Sequence, residues 1–392
     1  MSALQAATAP RGAVALGMPP VRRPPRDATD AAAVAAATAG RPGVPGLLDP
    51  SGRTATDLRV SLTDRCTLRC GYCMPPEGLD WMPEGEMLTD DEVVRLVTLA
   101  VERLGVREVR YTGGEPLLRR GLERVVAATT ALRTADGAPV EASMTTNALG
   151  LDKRAAGLAA AGLRRINVSL DTLDPRRFAT ITHRDRHVDV LRGVEAAAAA
   201  GIGPVKVNAV LLPGVNDDEA PALLAWALER GYELRVIEQM PIDAQGAWAR
   251  EGLVTADDVL ASLRGRFDLE PDDPAARGGA PAQTYRVRAT GADPTSAPLG
   301  RVGVIASVTR PFCEACDRTR LTADGQVRSC LFSTSETDLR GLLRGGASDD
   351  EVADVWRAAM WGKAPAHGIG EAEPLTTSGF ATPSRSMSAI GG

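Results

Sequence analysis

The sequence predicts an α/β protein, built on a parallel sheet with outer helices that is either open or curled into a partial barrel. From residue 57 to residue 239, short apolar stretches alternate with helical patterns, which gives six strand–helix units. Residues able to carry chemistry recur where these strands end. Because the carboxyl ends of parallel strands meet at one edge, an active site is expected there.

Each predicted strand is short and apolar, as buried parallel strands are. The strands are predicted at 58–62, 106–112, 140–146, 165–170, 205–212 and 233–239. The helices between and after them are predicted at 89–104, from the double glycine to about 134, and at 153–161, 187–200 and 217–230. Thr89 and Glu92 have the spacing of a capping box, which predicts where the first of these helices begins.

The strand–helix alternation stops after residue 243. Residues 271–283 predict a loop, and no prediction is made for the role of 271–297. Short strands are predicted at 285–287, 302–308 and 318–321, and a last helix at 349–361. Asp324-Gly325 is a hairpin-turn signal that would bring Cys330 back beside Cys313 and Cys316. We therefore expect a partial barrel over 51–243 and a smaller α+β region over 244–392.

Residues 1–50 are rich in Ala, Pro and Gly and lack periodic apolar positions, so they predict a disordered extension. The Arg22-Arg23 pair is followed by prolines rather than by an apolar stretch, which does not resemble an export signal. Either Met1 or Met18 is compatible with the true start.

Composition excludes several classes of protein. The net charge of −5 argues against general nucleic-acid binding. No run of about 18 apolar residues is present, so no membrane span is expected. We expect a cytoplasmic protein, and the sequence leaves a monomer and a homodimer open.

The cysteines form two groups of three with none left over. Cys66, Cys70 and Cys73 form C-x3-C-x2-C, whereas Cys313, Cys316 and Cys330 form C-x2-C-x13-C. Iron–sulfur clusters are held by thiolates, and three thiolates on a four-iron cube leave one iron open to a small molecule. The partition thus predicts two clusters, each with an open iron.

Zinc and disulfides are the alternatives for these cysteines. A structural zinc site wants four protein ligands, and no histidine lies within ten residues of either triad. Disulfides require an oxidising compartment. His183 and His187, at i and i+4, are expected on a polar surface rather than at a metal.

The first triad, Cys66-Thr-Leu-Arg-Cys70-Gly-Tyr-Cys73, resembles the cluster loop of the radical S-adenosylmethionine enzymes. Gly113-Gly114-Glu115-Pro116 resembles the segment of that superfamily that contacts the methionine amino group. Further segments resemble the GTP 3′,8-cyclase family of molybdenum cofactor biosynthesis. They are Leu58 to Cys66, Cys73-Met-Pro, Thr145-Thr-Asn, Arg165 to Asp171, Glu238 to Pro241, Cys313 to Leu321 and Met387 to Gly392.

The resemblance implies a reaction and its cofactors. One [4Fe-4S] cluster would cleave S-adenosylmethionine to a radical that abstracts the 3′ hydrogen of GTP, and C3′ would then join C8. A second [4Fe-4S] cluster, on Cys313, Cys316 and Cys330, would hold the guanine. The expected product is 3′,8-cyclo-7,8-dihydro-GTP, the first intermediate of molybdopterin synthesis. An external electron donor is implied, and the next pathway enzyme, cyclic pyranopterin monophosphate synthase, is a possible partner.

The resemblance also implies roles for individual residues. The positions expected to contact S-adenosylmethionine are Tyr72, Gly114, Ser169 and Met240. Those expected to bind GTP are Arg59, Arg110, Thr145, Lys206, Arg318 and Arg320. Arg318 and Arg320 are two apart in a predicted strand and so face one side, and with Arg235 they are the catalytic candidates.

The chain end is predicted to be functional. In the family, the end that corresponds to Ile390-Gly391-Gly392 reaches into the active site, and two glycines make a segment slim enough to enter a crowded pocket. Two other interpretations stay open: a radical S-adenosylmethionine enzyme that modifies a peptide, and a zinc-stabilised binding protein.

Overall fold

A computed structural model describes residues 31–242, 248–366 and 385–391, without the side chains of residues 31, 274 and 276. Strands and helices are numbered below in chain order. The strands are β1 Leu47–Leu48, β2 Thr54–Ala55, β3 Asp57–Ser61, β4 Glu108–Thr112, β5 Glu141–Thr146, β6 Arg165–Ser169, β7 Val205–Val210, β8 Glu233–Ile237, β9 Phe267–Pro271, β10 Gln283–Ala289, β11 Gly300–Ile305, β12 Arg318–Leu321, β13 Gln326–Arg328 and β14 Thr337–Asp338. The helices are α1 Ala31–Ala37, α2 Asp90–Leu104, α3 Leu122–Thr130, α4 Ala155–Ala160, α5 Pro175–Thr182, α6 His187–Ala199, α7 Ala220–Glu229, α8 Ala256–Arg264, α9 Leu339–Arg344, α10 Asp349–Trp361 and α11 Met387–Ile390.

One large sheet dominates the described residues, in the strand order β14-β13-β12-β3-β4-β5-β6-β7-β8-β11-β10-β9. The six predicted strands, β3 to β8, are parallel and lie side by side in chain order. This confirms the α/β fold class, with a sheet whose outer strands β14 and β9 do not pair with each other in the described part of the chain.

Strands from the later part of the chain extend this sheet on both sides. β12 pairs in parallel with β3, and β11 pairs in parallel with β8. The region predicted as 244–392 therefore continues the sheet rather than sitting apart from it, and its boundary with 51–243 remains a prediction. The predicted hairpin at Asp324-Gly325 joins β12 to β13, with Leu321 opposite Val327.

Helix α2 shows how the sequence fixes an element. Thr89 and Glu92 form both hydrogen bonds of the predicted capping box, and Gly105 ends the helix with φ of 78°. Leu96, Val97 and Leu104 are among the fully buried side chains that pack it on the core. Burial of such a side chain stabilises a fold by roughly 1.5–3 kcal/mol.

The prediction that residues 1–50 are disordered is wrong for part of the range. Leu47 is fully buried in the core, and β1 pairs with β2. Asp49 is also buried and forms an ion pair with Arg53 at 2.6 Å. The sequence did not show this because a two-residue strand between prolines and glycines has no periodicity to detect. Residues 1–30 lie outside the described part.

Five helices of the described part were not predicted, namely α1, α5, α8, α9 and α11. No helix among the described residues is long and apolar enough to cross a membrane.

Candidate active site

A row of basic side chains crosses one face of the sheet. In the strand register, Arg320 lies opposite Arg59, Arg59 opposite Arg110, Arg110 opposite Ser143, and Ser143 opposite Arg165. In-register neighbours on parallel strands point to the same face. The register thus brings together predicted GTP-binding arginines from three strands.

These cations are buried or half-buried and share few carboxylates. Arg59, Arg318 and Arg320 are between 6% and 8% exposed. The group called the cation row below comprises Arg59, Arg110, Lys206, Arg235, Arg318 and Arg320. Within the described residues, the ion pairs of this group involve only Asp57 and Glu233. Six cations against two carboxylates leave an excess of positive charge that favours a bound anion.

Asp57 is the carboxylate at the centre of the row. It accepts hydrogen bonds from Arg59 at 2.9–3.2 Å, and Arg318 Nε lies 3.8 Å from its Oδ2. Burial alone would raise the pKa of Asp57, but the charges of Arg59 and Arg110 lower it to about 2. Asp57 is therefore ionised and helps to hold Arg59 in place.

Polar side chains on β5 to β8 surround Lys206 and Arg235 of the cation row. Thr145 is opposite Asn167, which is opposite Lys206, and Ser169 is opposite Asn208, which is opposite Arg235. Asn208 Oδ1 is buried without a hydrogen-bond partner in the described residues. Asn208 was missed from the sequence, although its alternation with Lys206 along β7 was a usable signal. An unpaired buried acceptor here points to a polar ligand.

The first triad lies in the loop that follows β3. No disulfide joins any of the six cysteines. Burial raises the pKa of the Cys66 thiol to about 11 and that of the Cys73 thiol to about 12. A cysteine binds metal as a thiolate, and a buried thiolate without a partner is unfavourable. An iron cluster bound here would stabilise the thiolates as its ligands.

Contacts around this loop fix it at the sheet edge. Backbone N–H groups of Arg69 and Gly71 donate to carbonyls at the end of α5. The Tyr72 hydroxyl donates to Asp171 at 2.8 Å, and burial raises the pKa of this carboxyl to about 6. Tyr72 also lines a cleft of about 230 Å³. The other lining residues are Gly71, Thr180, Ile181, Leu212, Val215, Gln239 and Trp248.

The double glycine after β4 is required by close backbone contact. A Cβ on Gly113 would overlap the carbonyl oxygen of Thr63, and one on Gly114 would overlap that of Arg65. Glu115 accepts hydrogen bonds from Leu117, Thr146 and Asn147, and burial raises its pKa to about 7. This segment therefore locks the cluster loop onto the ends of β4 and β5.

The second triad is surrounded by cations. Lys363 is 4% exposed, and its Nζ donates to Cys316 Sγ at 3.5 Å and to the Arg318 carbonyl at 3.0 Å. Arg53 donates to the Cys313 carbonyl at 2.6 Å. Burial opposes ionisation of Cys316, but Lys363 and Arg318 lower the pKa of its thiol overall. Neither Lys363 nor Arg53 was identified from sequence.

No three His, Cys, Asp or Glu side chains in the described ranges converge on a single metal-ion position. A single-ion zinc site therefore has no ready group of ligands there. A four-iron cluster does not require its ligands to converge on one ion, because each thiolate binds a different iron.

The chain end enters the site. Arg320 donates a hydrogen bond to the Gly391 carbonyl, and Ile390 is fully buried against Ile242 and Leu331. Burial raises the pKa of the Cys73 thiol, and the nearby Ser388 backbone opposes that rise. Met240, a predicted S-adenosylmethionine contact, packs on the same apolar cluster. Gly392 lies outside the described residues.

The expectation for the two histidines was wrong in part. His183 is exposed and ends α5 with φ of 52°, whereas His187 begins α6 and is buried with its ring centroid 5.4 Å from that of Phe178. They do not share a helix, so their i, i+4 spacing does not place them together.

Comparison with known proteins agrees with this site. Residues 60–227 match the radical SAM superfamily, and residues 232–369 match the family described as Molybdenum Cofactor Synthesis C. A crystal structure of Streptococcus suis SuiB bound to S-adenosylmethionine shares the fold. Its TM-score is 0.53 at 14% identity, over 84% of this chain and 69% of that one. The chain is therefore a radical S-adenosylmethionine enzyme, a class that uses a [4Fe-4S] cluster and S-adenosylmethionine.

Curated relatives define the family within that class. A GTP 3′,8-cyclase of Streptomyces coelicolor is 60% identical over 346 residues, which are 88% of this chain and 96% of that protein. A GTP 3′,8-cyclase of Mycobacterium marinum is 57% identical over 378 residues, 96% of this chain and 99% of the relative. The chain belongs to the GTP 3′,8-cyclase family, which acts in molybdenum cofactor biosynthesis.

Proposed function

We propose that this enzyme converts GTP to (8S)-3′,8-cyclo-7,8-dihydroguanosine 5′-triphosphate, the first step of molybdopterin synthesis, with S-adenosylmethionine and a reductant. The observation that carries the proposal is the cation row, buried between two cysteine triads. A triphosphate is the kind of anion that such an excess of arginine binds well.

Cys66, Cys70 and Cys73 are the proposed ligands of the first cluster. A [4Fe-4S] cluster there would supply the electron that cleaves S-adenosylmethionine. Tyr72, Gly114, Ser169 and Met240 are the proposed contacts of this cosubstrate. Gly114 packs against the carbonyl of Arg65 and so holds its segment beside the cluster loop, and the cleft beside Tyr72 is of a size that admits part of the cosubstrate. We add Asn208, whose unpaired Oδ1 can accept from a ribose hydroxyl.

Cys313, Cys316 and Cys330 are the proposed ligands of a second [4Fe-4S] cluster, whose open iron would take the guanine. Support comes from the donor set and from Lys363, whose ammonium group donates a hydrogen bond to Cys316 Sγ, as hydrogen-bond donors around cluster sulfurs do. Such a cation offsets the negative charge of a cluster with three thiolates.

The triphosphate is placed on the cation row. Arg59, Arg110, Lys206, Arg318 and Arg320 are its proposed cationic partners, and Thr145 is a hydroxyl ligand. Arg318 donates to the Gly279 carbonyl at 2.6 Å, which orients its guanidinium. Arg318, Arg320 and Arg235 are the proposed catalytic residues, because all three are buried and positively charged beside the reacting nucleotide. Glu233 holds Arg235 at 2.7 Å.

Several wider features belong to the same proposal. An external electron donor is required. The next pathway enzyme, cyclic pyranopterin monophosphate synthase, would receive the unstable product, and the active form is a monomer or homodimer. Open-iron clusters are damaged by oxygen, which favours a reducing cytoplasm.

The test is an anaerobic assay with reconstituted protein, S-adenosylmethionine, dithionite and GTP, read by mass spectrometry. We expect both 5′-deoxyadenosine and cyclised GTP. The double variant Arg318→Met/Arg320→Met should lose only the cyclised product, whereas the exposed control Arg301→Met should lose neither. Formation of 5′-deoxyadenosine by the unaltered enzyme without any GTP product would refute the substrate assignment and make a peptide the next candidate.

A further inference from the structure

Four charged side chains are buried together where the chain end joins the protein. Asp324 belongs to the hairpin turn after β12, Arg328 ends β13, Glu336 precedes β14, and Arg385 precedes α11. Their side chains are between 1% and 9% exposed. Two cations face two carboxylates, so the group is neutral as a whole, unlike the cation row.

Arg385 is held by both carboxylates. Its Nη1 and Nη2 donate to the two oxygens of Asp324 at 3.0 and 2.8 Å, which is the paired geometry that makes arginine–carboxylate contacts strong. Its Nε and Nη2 also lie 3.0 and 2.8 Å from Glu336 Oε2. The base of the chain end is thus fixed at three donor atoms.

The other oxygen of Glu336 contacts Arg328, which holds the segment after Cys330. Oε1 accepts from Arg328, whose Nη2 donates to the carbonyls of Leu331 and Ser333. These carbonyls lie in the segment that follows Cys330. The Glu336 carboxylate therefore binds Arg385, which fixes the chain end, through one oxygen, and Arg328, which binds the loop after Cys330, through the other.

The chain end beyond Arg385 touches both cysteine triads. The Ser388 backbone lies close enough to Cys73 of the first triad to lower the pKa of its thiol against burial, while Ile390 packs on Leu331 beside Cys330 of the second. Gly391 then reaches Arg320 of the cation row. A shift at Arg385 would move each of these contacts.

We infer that Glu336 is a positioning residue shared by the chain end and the Cys330 loop, because it holds Arg385, which Asp324 also anchors, and Arg328, which holds the loop. The inference deepens the proposed function and rests on it for its consequence in turnover. Removing Glu336 leaves Arg328 and Arg385 as buried cations with one carboxylate fewer, and breaking a buried ion pair in this way is strongly destabilising. Removing Asp324 weakens the anchor and the hydrogen bond that Asp324 accepts from Thr322 in the same hairpin turn, but it leaves the contact between Glu336 and Arg328 in place.

The test compares Glu336→Gln and Asp324→Asn with the exposed control Asp136→Asn by hydrogen–deuterium exchange of the reconstituted enzyme without GTP. We expect Glu336→Gln to speed exchange in both 385–391 and 329–336, and Asp324→Asn to speed it in 385–391 alone. The control should change neither segment. Unchanged exchange in 385–391 for Glu336→Gln, or equal effects of the two variants on 329–336, would overturn the shared role of Glu336.

Turnover gives a second readout that an unfolded variant would not mimic. Asp324→Asn should still form 5′-deoxyadenosine but yield roughly tenfold less cyclised product per cleavage. Loss of both products in parallel would contradict the positioning role. Should Glu336→Gln not fold, Arg385→Lys tests whether Arg385 fixes the chain end. Faster exchange confined to 385–391 supports that role, and unchanged exchange overturns it. Because exchange is measured without GTP, its result stands even if the substrate differs.

Discussion

Lys206 shows what burial does to one cation of the row. Burial, and secondarily the charge of Arg235, lower the pKa of Lys206 to about 8, although Glu233 lies only 3.7 Å away. A neutral lysine loses its attraction for phosphate, so under the proposed assignment GTP binds best to the enzyme whose Lys206 is protonated.

We predict that GTP affinity falls as the pH rises above about 8, by up to about tenfold per pH unit for one lost proton. Below that pH the lysine is charged and the affinity levels off. Lys206→Arg should remove this part of the pH dependence, since arginine stays protonated. Anaerobic titration calorimetry with GTP between pH 6.5 and 9 measures both proteins, and parallel profiles would exclude Lys206 as the titrating group.

For individual residues, the sequence indicated the motif residues but not the side chains that contact and position them. Arg318 and Arg320 could be placed together because strand residues two apart share a face. Lys363 and Arg53 could not, because they reach the second triad from 47 and 260 positions away in the chain. Such long-range contacts depend on the tertiary structure and not on a local sequence pattern.

The chain end is the element most sensitive to its glycine. Gly391 has φ of 80°, and a Cβ there would lie 2.5 Å from Ser61 Oγ and 2.6 Å from Thr112 Cγ2. We predict that Gly391→Val, deletion of Gly391 and Gly392, or a C-terminal tag lowers cyclised product by roughly 100-fold, because the end can no longer occupy its place beside Arg320.

Product assays of these variants should be run beside the same tag placed at the N-terminus, which should leave product formation intact. Normal turnover with an extended or shortened C-terminus would contradict a functional chain end.

The hairpin of β1 and β2 is a second element with a consequence for the site. Arg53, which follows the hairpin turn, donates to the carbonyls of Cys313, Ala364 and Pro365. Hydrogen bonds from a charged donor contribute about 1.5–3 kcal/mol. We predict that Arg53→Met loosens the Cys313 loop and lowers the iron content after reconstitution from about eight towards about four per chain.

Iron and sulfide analysis measures this, with Arg103→Met, which removes an exposed ion pair with Asp350, as the control. Full iron content in Arg53→Met would show that the hairpin does not support the second triad.

Long periodic elements were predictable and short ones were not. Helix α10 was predicted at its observed bounds, and α2 within one residue, because each has a capping box and an apolar stripe. The short strands β1 and β2 were hidden in a segment without periodicity. Helix α5 was missed although Asp174 and Pro175 are a good helix start.

In the whole molecule, the sheet separates the two triads. The Cys66–Cys73 loop follows the end of β3, whereas Cys313 and Cys316 precede the start of its parallel neighbour β12. A five-residue strand spans about 16 Å, so the triads lie at opposite edges with the cation row between them. A nucleotide held on that row can have its sugar toward one triad and its base toward the other.

The sequence motifs indicated two triads and a set of cations, but not this arrangement. It depends on β12 pairing with β3 across about 260 residues of chain. No local pattern specifies such a contact, which is why the sequence favoured all active residues at one edge of the sheet.

The most direct measurement of the central claim uses GTP carrying deuterium at C3′ in the anaerobic reaction. If the radical formed at the first triad acts on a nucleotide held by the cation row, one deuterium appears in 5′-deoxyadenosine and is absent from the cyclised product. Cyclised product formed with unlabelled 5′-deoxyadenosine would contradict the account.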